Sequence, residues 1–464
     1  MKAGKKIFLA PLGCPKNQID GELMLGRAVA AGHEIVSNPD DADVLVVNTC
    51  AFIEQAREES IDAILELAEL KAAREGRKLV VTGCMAERYG KELAGELPEI
   101  DALVGTGALD RINDAIDATR SDGPATFIGD KHYLPAATMD RVITEGDGSA
   151  YVKVSEGCDH DCSFCVIPAI RGRHESRPVE DVALEVEGLV ERGVVEVNLV
   201  AQDLSAYGRD LGERQGLAAL LYRLGRIQNL ARVRCFYLYP NTLSDEALEA
   251  MDAVDNVCAY IDMPLQHADP MVLRAMRRAR GADQLRRIID RIRTRVRDPY
   301  LRTTFITGFP GETDEAFANL RAFVSEVRFD RVGVFTYSRE EGSAAADLAD
   351  PVPADVAELR RDELMVLQEP ISEQLLAARV GERERVLVCG RDETGTWFGR
   401  TEFQAPEIDG VTFLGCLGGD LFPCVGRVVE ATLTGSDAYD LFGECTPAAA
   451  SIAATDTGLI HPAG

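Results

Sequence analysis

Nowhere in its 464 residues does the chain carry an apolar run approaching the ~20 that cross a bilayer. The nearest imitation of an export signal, Lys5 and Lys6 before Ile7-Phe8-Leu9-Ala10, is too short and is broken by Pro11, so the protein reads as cytoplasmic. Basic charge is also in deficit. Fifty Lys and Arg against 77 Asp and Glu give −27, the reverse of the positive surface that displaces counterions from phosphates. A nucleic acid is therefore not the expected partner, whereas a basic protein would be attracted. Histidine is scarce, at six, which leaves cysteine as the metal ligand to look for. The twelve cysteines are too dilute for a secreted disulfide scaffold. What remains is the composition of an ordinary globular chain, 46% hydrophobic and 27% charged, with length for about three domains.

Cys158, Cys162 and Cys165 stand in the run Ser155-Glu156-Gly157-Cys158-Asp159-His160-Asp161-Cys162-Ser163-Phe164-Cys165. Three thiolates at this C-x-x-x-C-x-x-C spacing can each hold one iron of a 4Fe-4S cluster, leaving the fourth iron open to a small molecule. Two other readings share the residues. One is a helix face of small buried hydrophobes, against which Gly157, the polar neighbours and Pro168 argue. The other is a zinc site completed by His160 or His174.

The chain divides into α/β units and a β-rich end. Residues 1–130 read as an open parallel α/β sheet, with strands at 6–10, 43–47 and 78–81 and a helix at 53–70. Each strand runs into a cysteine, Cys14, Cys50 or Cys84, and in a parallel sheet the carboxyl ends share one edge. Residues 140–376 continue with strands at 150–154, 195–200, 233–238, 259–263, 301–306 and 331–337, and end in a helix at 357–378. Six such units predict a partial barrel, (β/α)6, with active residues at the strand ends. Residues 378–446 show short strands at 385–389, 396–401, 410–414 and 426–432, predicting a small antiparallel β-barrel. The Ala- and Thr-rich stretch 447–464 reads as a disordered tail.

Gly308-Phe309-Pro310-Gly311-Glu312 closes the fifth of those six strands, where glycines would let backbone approach a cofactor. Gln266 and His267 end the fourth, and His267 reads better as a structural histidine than as a base. Ten arginines between 274 and 297 read as a solvated helix face, with a local anion site as the alternative. Cys235 and Cys258 read as core, and Cys389, Cys416, Cys424 and Cys445 lack metal-knuckle spacing.

The run from Cys158 to Cys165 resembles the signature of the radical S-adenosylmethionine enzymes. That resemblance implies that Cys158, Cys162 and Cys165 hold a 4Fe-4S cluster whose open iron chelates S-adenosylmethionine. It places Phe164 beside the adenine and Gly308, Pro310, Gly311 and Glu312 along the cofactor. Together with Cys14, Cys50, Cys84 and the terminal β domain, nearly the whole chain is similar to the methylthiotransferases. In that family the second triad holds another 4Fe-4S cluster and the small domain is a TRAM domain. Leu12-Gly13-Cys14-Pro15-Lys16-Asn17, Val47-Asn48-Thr49-Cys50-Ala51-Phe52-Ile53, Ala405-Pro406-Glu407-Ile408-Asp409-Gly410 and Tyr439-Asp440-Leu441-Phe442-Gly443 look closest to the branch acting on ribosomal protein S-twelve. The alternative is the branch acting on tRNA adenosine. Gly21 stands where a serine is common.

The resemblance implies methylthiolation of an aspartate β-carbon, one cluster generating a 5′-deoxyadenosyl radical and the other presenting methylated sulfur. It implies as partners a basic ribosomal protein, a low-potential electron donor and a sulfur source. Charge agrees with the protein-substrate branch, because 378–445 holds six arginines, no lysine and twelve acids, a net −6. Glu407 and Asp409 are accordingly expected on an acidic receiving surface.

Overall fold

The computed structural model describes residues 4–120, 123–129, 133–213, 215–278, 281–416 and 425–445; the tail expected at 447–464 lies outside them. The first unit is a parallel sheet of order β2-β1-β3-β4-β5-β6, from β1 (Lys6–Pro11), β2 (Glu34–Ile35), β3 (Val44–Thr49), β4 (Lys78–Gly83), β5 (Ala102–Val104) and β6 (Ala125–Phe127). Its central strands β3, β4 and β5 are buried almost throughout and read as apolar runs because both faces are covered, while β2 and β6 at the edges are not. Val44 and Val46 of β3 pack with residues of α1 (Pro15–Ala30) and α4 (Ile112–Asp117). Leu45 and Val47 pack with those of α2 (Glu54–Ala72) and α3 (Cys84–Glu96). The order brings β1, β3 and β4 side by side.

The second unit runs β7 (Ser149–Lys153), β10 (Glu196–Val200), β11 (Arg232–Cys235), β12 (Tyr260–Asp262), β13 (Tyr300–Thr307) and β14 (Arg331–Thr336) in parallel. β11 and β12 are joined by the bridge of Val233 with Val257 and by Leu238 N–H to Asp262 O at 2.8 Å. A short ribbon, β8 (Ser155–Glu156) with β9 (Glu175–Ser176), closes the base of the cysteine loop, which includes α5 (Ile167–Arg171). Outside lie α6 (Val179–Glu191), α7 (Gly216–Leu224), α8 (Asp245–Ala253), α9 (Pro270–Ala275), α10 (Ala282–Arg295) and α11 (Asp314–Val327), and α12 (Ala354–Ala378) follows. Among the described residues no helix is long and apolar enough to cross a membrane.

The third unit is a closed barrel of β15 (Arg383–Arg391), β16 (Trp397–Arg400), β17 (Thr412–Cys416), β18 (Val428–Ser436) and β19 (Leu441–Cys445). Four of its pairings are antiparallel; the fifth, β17 with β19, is parallel and closes the ring.

All three units meet inside the partial barrel. Ile19 and Leu23 of α1 and Phe403 and Ala405 of the third unit share one cluster with Tyr151, Val200, Phe236, Tyr260 and Tyr300. The rings of Phe236, Tyr260, Tyr300 and Phe403 form a column with centroids 5.6–5.9 Å apart. Asp409 belongs to this junction. Its side chain is 0% exposed, accepts from Tyr260 Oη at 2.7 Å and faces Arg302 and Arg331. The expectation that it lies on an acidic receiving surface is therefore wrong: sequence charge does not say which acids are buried. Glu407 is exposed.

Candidate functional site

Cys14, Cys50 and Cys84 follow β1, β3 and β4, so three neighbouring strand ends bring together residues far apart in sequence. Cys14 caps α1 and Cys84 opens α3, each just after a glycine with φ near +90°. That backbone conformation suits glycine, and at Gly83 a Cβ would sit 2.6 Å from Thr49 O. At Gly13 a Cβ would lie 2.9 Å from Cys50 Cβ. Helix amino termini favour thiolates at Cys14 and Cys84. Burial pushes the Cys84 thiol up to about 12 against the pull of Arg171, and burial also raises Cys50. At Cys14 burial pushes upward too, but the Lys16 and Arg171 charges and two backbone N–H groups outweigh it and the thiol is lowered. Among the described residues no three such side chains converge on a single-ion site. A cluster asks for wider spacing, since each thiolate binds a different iron.

A buried ionic network ties this triad to the other. Arg171 Nη2 donates to Asn17 Oδ1 at 2.6 Å and Asp20 Oδ2 at 3.1 Å and lies 3.5 Å from Cys84 Sγ. Its Nη1 donates to Glu156 Oε2 at 3.0 Å. Lys153 donates to the same Glu156 oxygen at 2.7 Å and to Asp20. Burial would raise the Glu156 carboxyl, yet Arg171 and Lys153 hold it down at about 2. Two cations and two carboxylates thus compensate one another out of water, as buried charge requires. Asn17 extends the network by donating to Leu12 O and Thr49 O, at the turns before Cys14 and Cys50. Neither Asp20 nor Arg171 was picked out from the sequence. The signal available was their place, six residues beyond a candidate ligand in each case.

Cys158, Cys162 and Cys165 lie on the loop closed by β8 and β9. Burial raises Cys158 to about 11 and Cys165 to about 12. Ser163 fixes the loop, its N–H donating to Met276 O at 3.1 Å and its Oγ to Ala275 O at 2.7 Å. Half-buried Phe164 packs against a cluster containing Val272, Met276 and Phe309, so the structure brings it to the Gly308–Glu312 segment. His160 and His174, the alternative zinc ligands, have other partners. His160 Nε2 is 2.7 Å from Asp203 Oδ2 and the ring stacks on Tyr239 at 3.7 Å; His174 Nε2 is 3.0 Å from Ser176 Oγ. The arginine-rich stretch is mostly the expected solvated face, with Arg286 paired to Glu326 and Arg295 to Glu249. Among its described residues Arg278 turns inward, 3.5 Å from Cys162 Sγ and 4.2 Å over the Tyr239 ring.

Gly308 and Gly311 both have φ near +80°. A Cβ on Gly308 would collide with Ala357, whereas Gly311 faces open space and Pro310 is buried. Glu312 departs from expectation. Its carboxylate is 0% exposed and is used by Gly308 N–H, Arg360 Nη1 at 3.0 Å and His267 Nε2 at 3.1 Å, which places it behind the turn as support. His267 is fully buried, with its Nδ1 accepting from Asp269 N–H at 2.9 Å. Near Cys14, Lys16 Nζ lies 3.5 Å over the ring of Tyr237, whose φ of 60° is strained for a bulky side chain.

Residues 6–105 match the family described as "Uncharacterized protein family UPF0004", 152–324 the "Radical SAM superfamily" and 380–446 the "TRAM domain". The chain is 44% identical over 445 residues to "Ribosomal protein uS12 methylthiotransferase RimO" of Anaeromyxobacter sp. (strain Fw109-5), covering 95% of this chain and 93% of that one. To the protein of that name from Pelotomaculum thermopropionicum it is 45% identical over 443 residues, covering 95% and 99%. Among solved structures, the radical S-adenosylmethionine methyltransferase TsrM of Kitasatospora setae superposes with a TM-score of 0.52 at 17% identity, covering 73% of each chain. The cobalamin-dependent enzyme OxsB gives 0.51 at 12%, covering 79% of this chain and 56% of that one; both likenesses concern the fold alone. On the length and level of the sequence match, the chain belongs to the ribosomal protein uS12 methylthiotransferase family of radical S-adenosylmethionine transferases.

Proposed function

We propose that the chain methylthiolates the β-carbon of an aspartate in ribosomal protein uS12, using two 4Fe-4S clusters and S-adenosylmethionine. The observation that carries this reading is the pair of cysteine triads at two strand edges, held to each other by the buried Arg171, Glu156, Lys153 and Asp20 network. Three thiolates per site leave one iron of each cluster open, which is the fit a reactive cluster needs. Cys14, Cys50 and Cys84 would hold one cluster and Cys158, Cys162 and Cys165 the other. Phe164, Gly308, Pro310 and Gly311 would border the nucleoside, with Glu312 supporting their turn. When bound, these cofactors supply radical cleavage of an unactivated C–H bond and a transferable methylated sulfur.

The protein's own share is geometry and exclusion of water. Arg171 and Lys16 set positive charge beside the first thiols, and Arg278 beside Cys162. Burial of the network fixes the separation of the two sites, which a transfer between them demands. The net −27 suits a basic protein substrate, and the function requires a low-potential electron donor and a sulfur source.

The test is anaerobic reconstitution followed by mass measurement of uS12. Protein should bind about eight irons, and about four after either triad is replaced by alanine. Cys158→Ala should abolish S-adenosylmethionine cleavage, while Cys50→Ala should retain cleavage and stop methylthio transfer. A single bound zinc, or labelling of tRNA in place of uS12, would overturn the reading.

A further inference from the structure

Resting on the proposed function, we infer that Lys16, seated on the face of Tyr237 beside Cys14, is the cation that receives the carboxylate of the substrate aspartate. In aspartate the carboxylate carbon is bonded directly to the β-carbon, so wherever that carbon accepts sulfur a negative charge lies two bonds away. Sulfur arrives from the Cys14, Cys50 and Cys84 site. The charge must therefore be buried next to that site, and a buried carboxylate needs a cation or hydrogen-bond donors to replace its water.

The cations of this region are mostly engaged. Arg171 is held by Asp20 and Glu156, Lys153 by the same two carboxylates, and Arg302 by Asp262 at 2.8 Å. Arg278 stands beside the other triad, at Cys162. Lys16 is different. It is 8% exposed, two residues past Cys14, and its ammonium donates to Ala201 O at 3.3 Å while lying on the Tyr237 ring. Among the described residues no carboxylate lies within ion-pair distance of it. An ammonium has three donors, and a carbonyl with an aromatic face uses only part of that capacity.

Two further features show that the position is built. Tyr237 adopts a left-handed backbone conformation, φ 60°, that a bulky residue keeps only where its surroundings over-determine it. Its N–H is fixed by Asp262 Oδ2 at 3.0 Å. The strain aims an aromatic floor under the ammonium at the carboxyl end of β11, where barrel substrates bind. Ala201, the carbonyl partner, follows β10 at the same edge.

The experiment compares wild type with Lys16→Met and Lys16→Arg on uS12 and on uS12 carrying asparagine in place of the target aspartate. Wild type should prefer aspartate by on the order of 100-fold in kcat/KM, the scale expected when one partner of a buried charge pair is removed. Lys16→Met should lose a similar factor on the aspartate substrate and little on asparagine, so the preference collapses toward one. Lys16→Arg should keep most of it. Lys16→Met also removes a charge from beside Cys14, so cluster integrity is read separately, and all three proteins should still bind about eight irons. Equal losses on both substrates, an unchanged preference in Lys16→Met, or loss of iron from the first triad would overturn the inference while leaving the proposed function standing. Failure of wild type to modify either substrate would overturn both.

Discussion

Arg171 belongs to the barrel unit by sequence and to the Cys14 triad by contact, reaching Asn17, Asp20 and Cys84. Replacing it with Met would leave Asp20 and Glu156 sharing Lys153, an uncompensated buried charge worth about 3–5 kcal/mol. Arg171→Met should therefore melt well below wild type and retain less iron at the first triad. Arg171→Lys should fall between them, since one ammonium cannot span partners on both sides as a guanidinium does. Thermal melts with iron analysis check this, and an Arg171→Met variant as stable as wild type would refute it. Gly308 offers a purely steric case. Its φ of 77° and its contact with Ala357 both forbid a Cβ, so Gly308→Ala should cost about 1–3 kcal/mol. Adding Ala357→Gly should recover only the part due to crowding, because the backbone strain remains. Denaturant titration of both variants separates the two terms.

Among the elements, the buried strands were legible because a parallel strand covered on both faces is a continuous apolar run. β3 and β4 needed no other clue, and the six barrel strands were placed within a few residues. β19 was missed: Leu441-Phe442-Gly443-Glu444-Cys445 is short, and its parallel pairing with β17 depends on a ring closure that local pattern does not encode. The convergence of Cys14, Cys50 and Cys84 was legible as a possibility, but the sheet order that makes their strands neighbours was not in their spacing. The inward turn of Arg278 was hidden for the same reason, since composition cannot show where a given arginine in such a stretch points. α1 shows how polar residues mislead. Its Asp20 and Glu22 are buried, the latter paired with Arg141, and the segment crossing it leaves Gly26 no room for a Cβ against Asp140 O. Glu145 in that strap accepts from Gln18 Nε2 at 2.9 Å, and burial together with Asp147 raises its carboxyl from 4.5 to about 8. A raised value favours the protonated form in the fold. Its stabilising contribution is thus complete below the ordinary value and lost as pH rises through about 8. Glu145→Gln should match wild type near pH 5 and exceed it by about 1–2 kcal/mol near pH 9, allowing for its partial exposure. Melts across that range would show the curves diverging, and parallel curves would refute the assignment.

At the scale of the molecule, the barrel unit packs its helices on a core of its own, but its inner wall is completed by the other two units. Its inner wall carries Glu196, Arg232, Arg234, Tyr260 and Tyr300, and these are satisfied by the other units. Glu196 accepts from Arg400, Arg232 donates to Arg400 O at 2.7 Å, and Arg234 donates to Glu402 O at 3.0 Å. Ile19 and Leu23 of the first unit complete the same cluster. Such sharing makes the three units one cooperative structure, because separating any of them would leave buried charges and rings without partners. Asp409 and Glu407 make the consequence measurable, being two residues apart and opposite in setting. Asp409→Asn would remove the charge facing Arg302 and Arg331 and weaken the bond from Tyr260, for a cost on the order of 3 kcal/mol. Glu407→Lys lies on the surface and should change stability by no more than about 0.5 kcal/mol. Calorimetry of the full chain should show Asp409→Asn lowering the transition that unfolds the barrel unit along with the small β-barrel. A separate early transition confined to the small β-barrel, with the main one unmoved, would show the units to be independent.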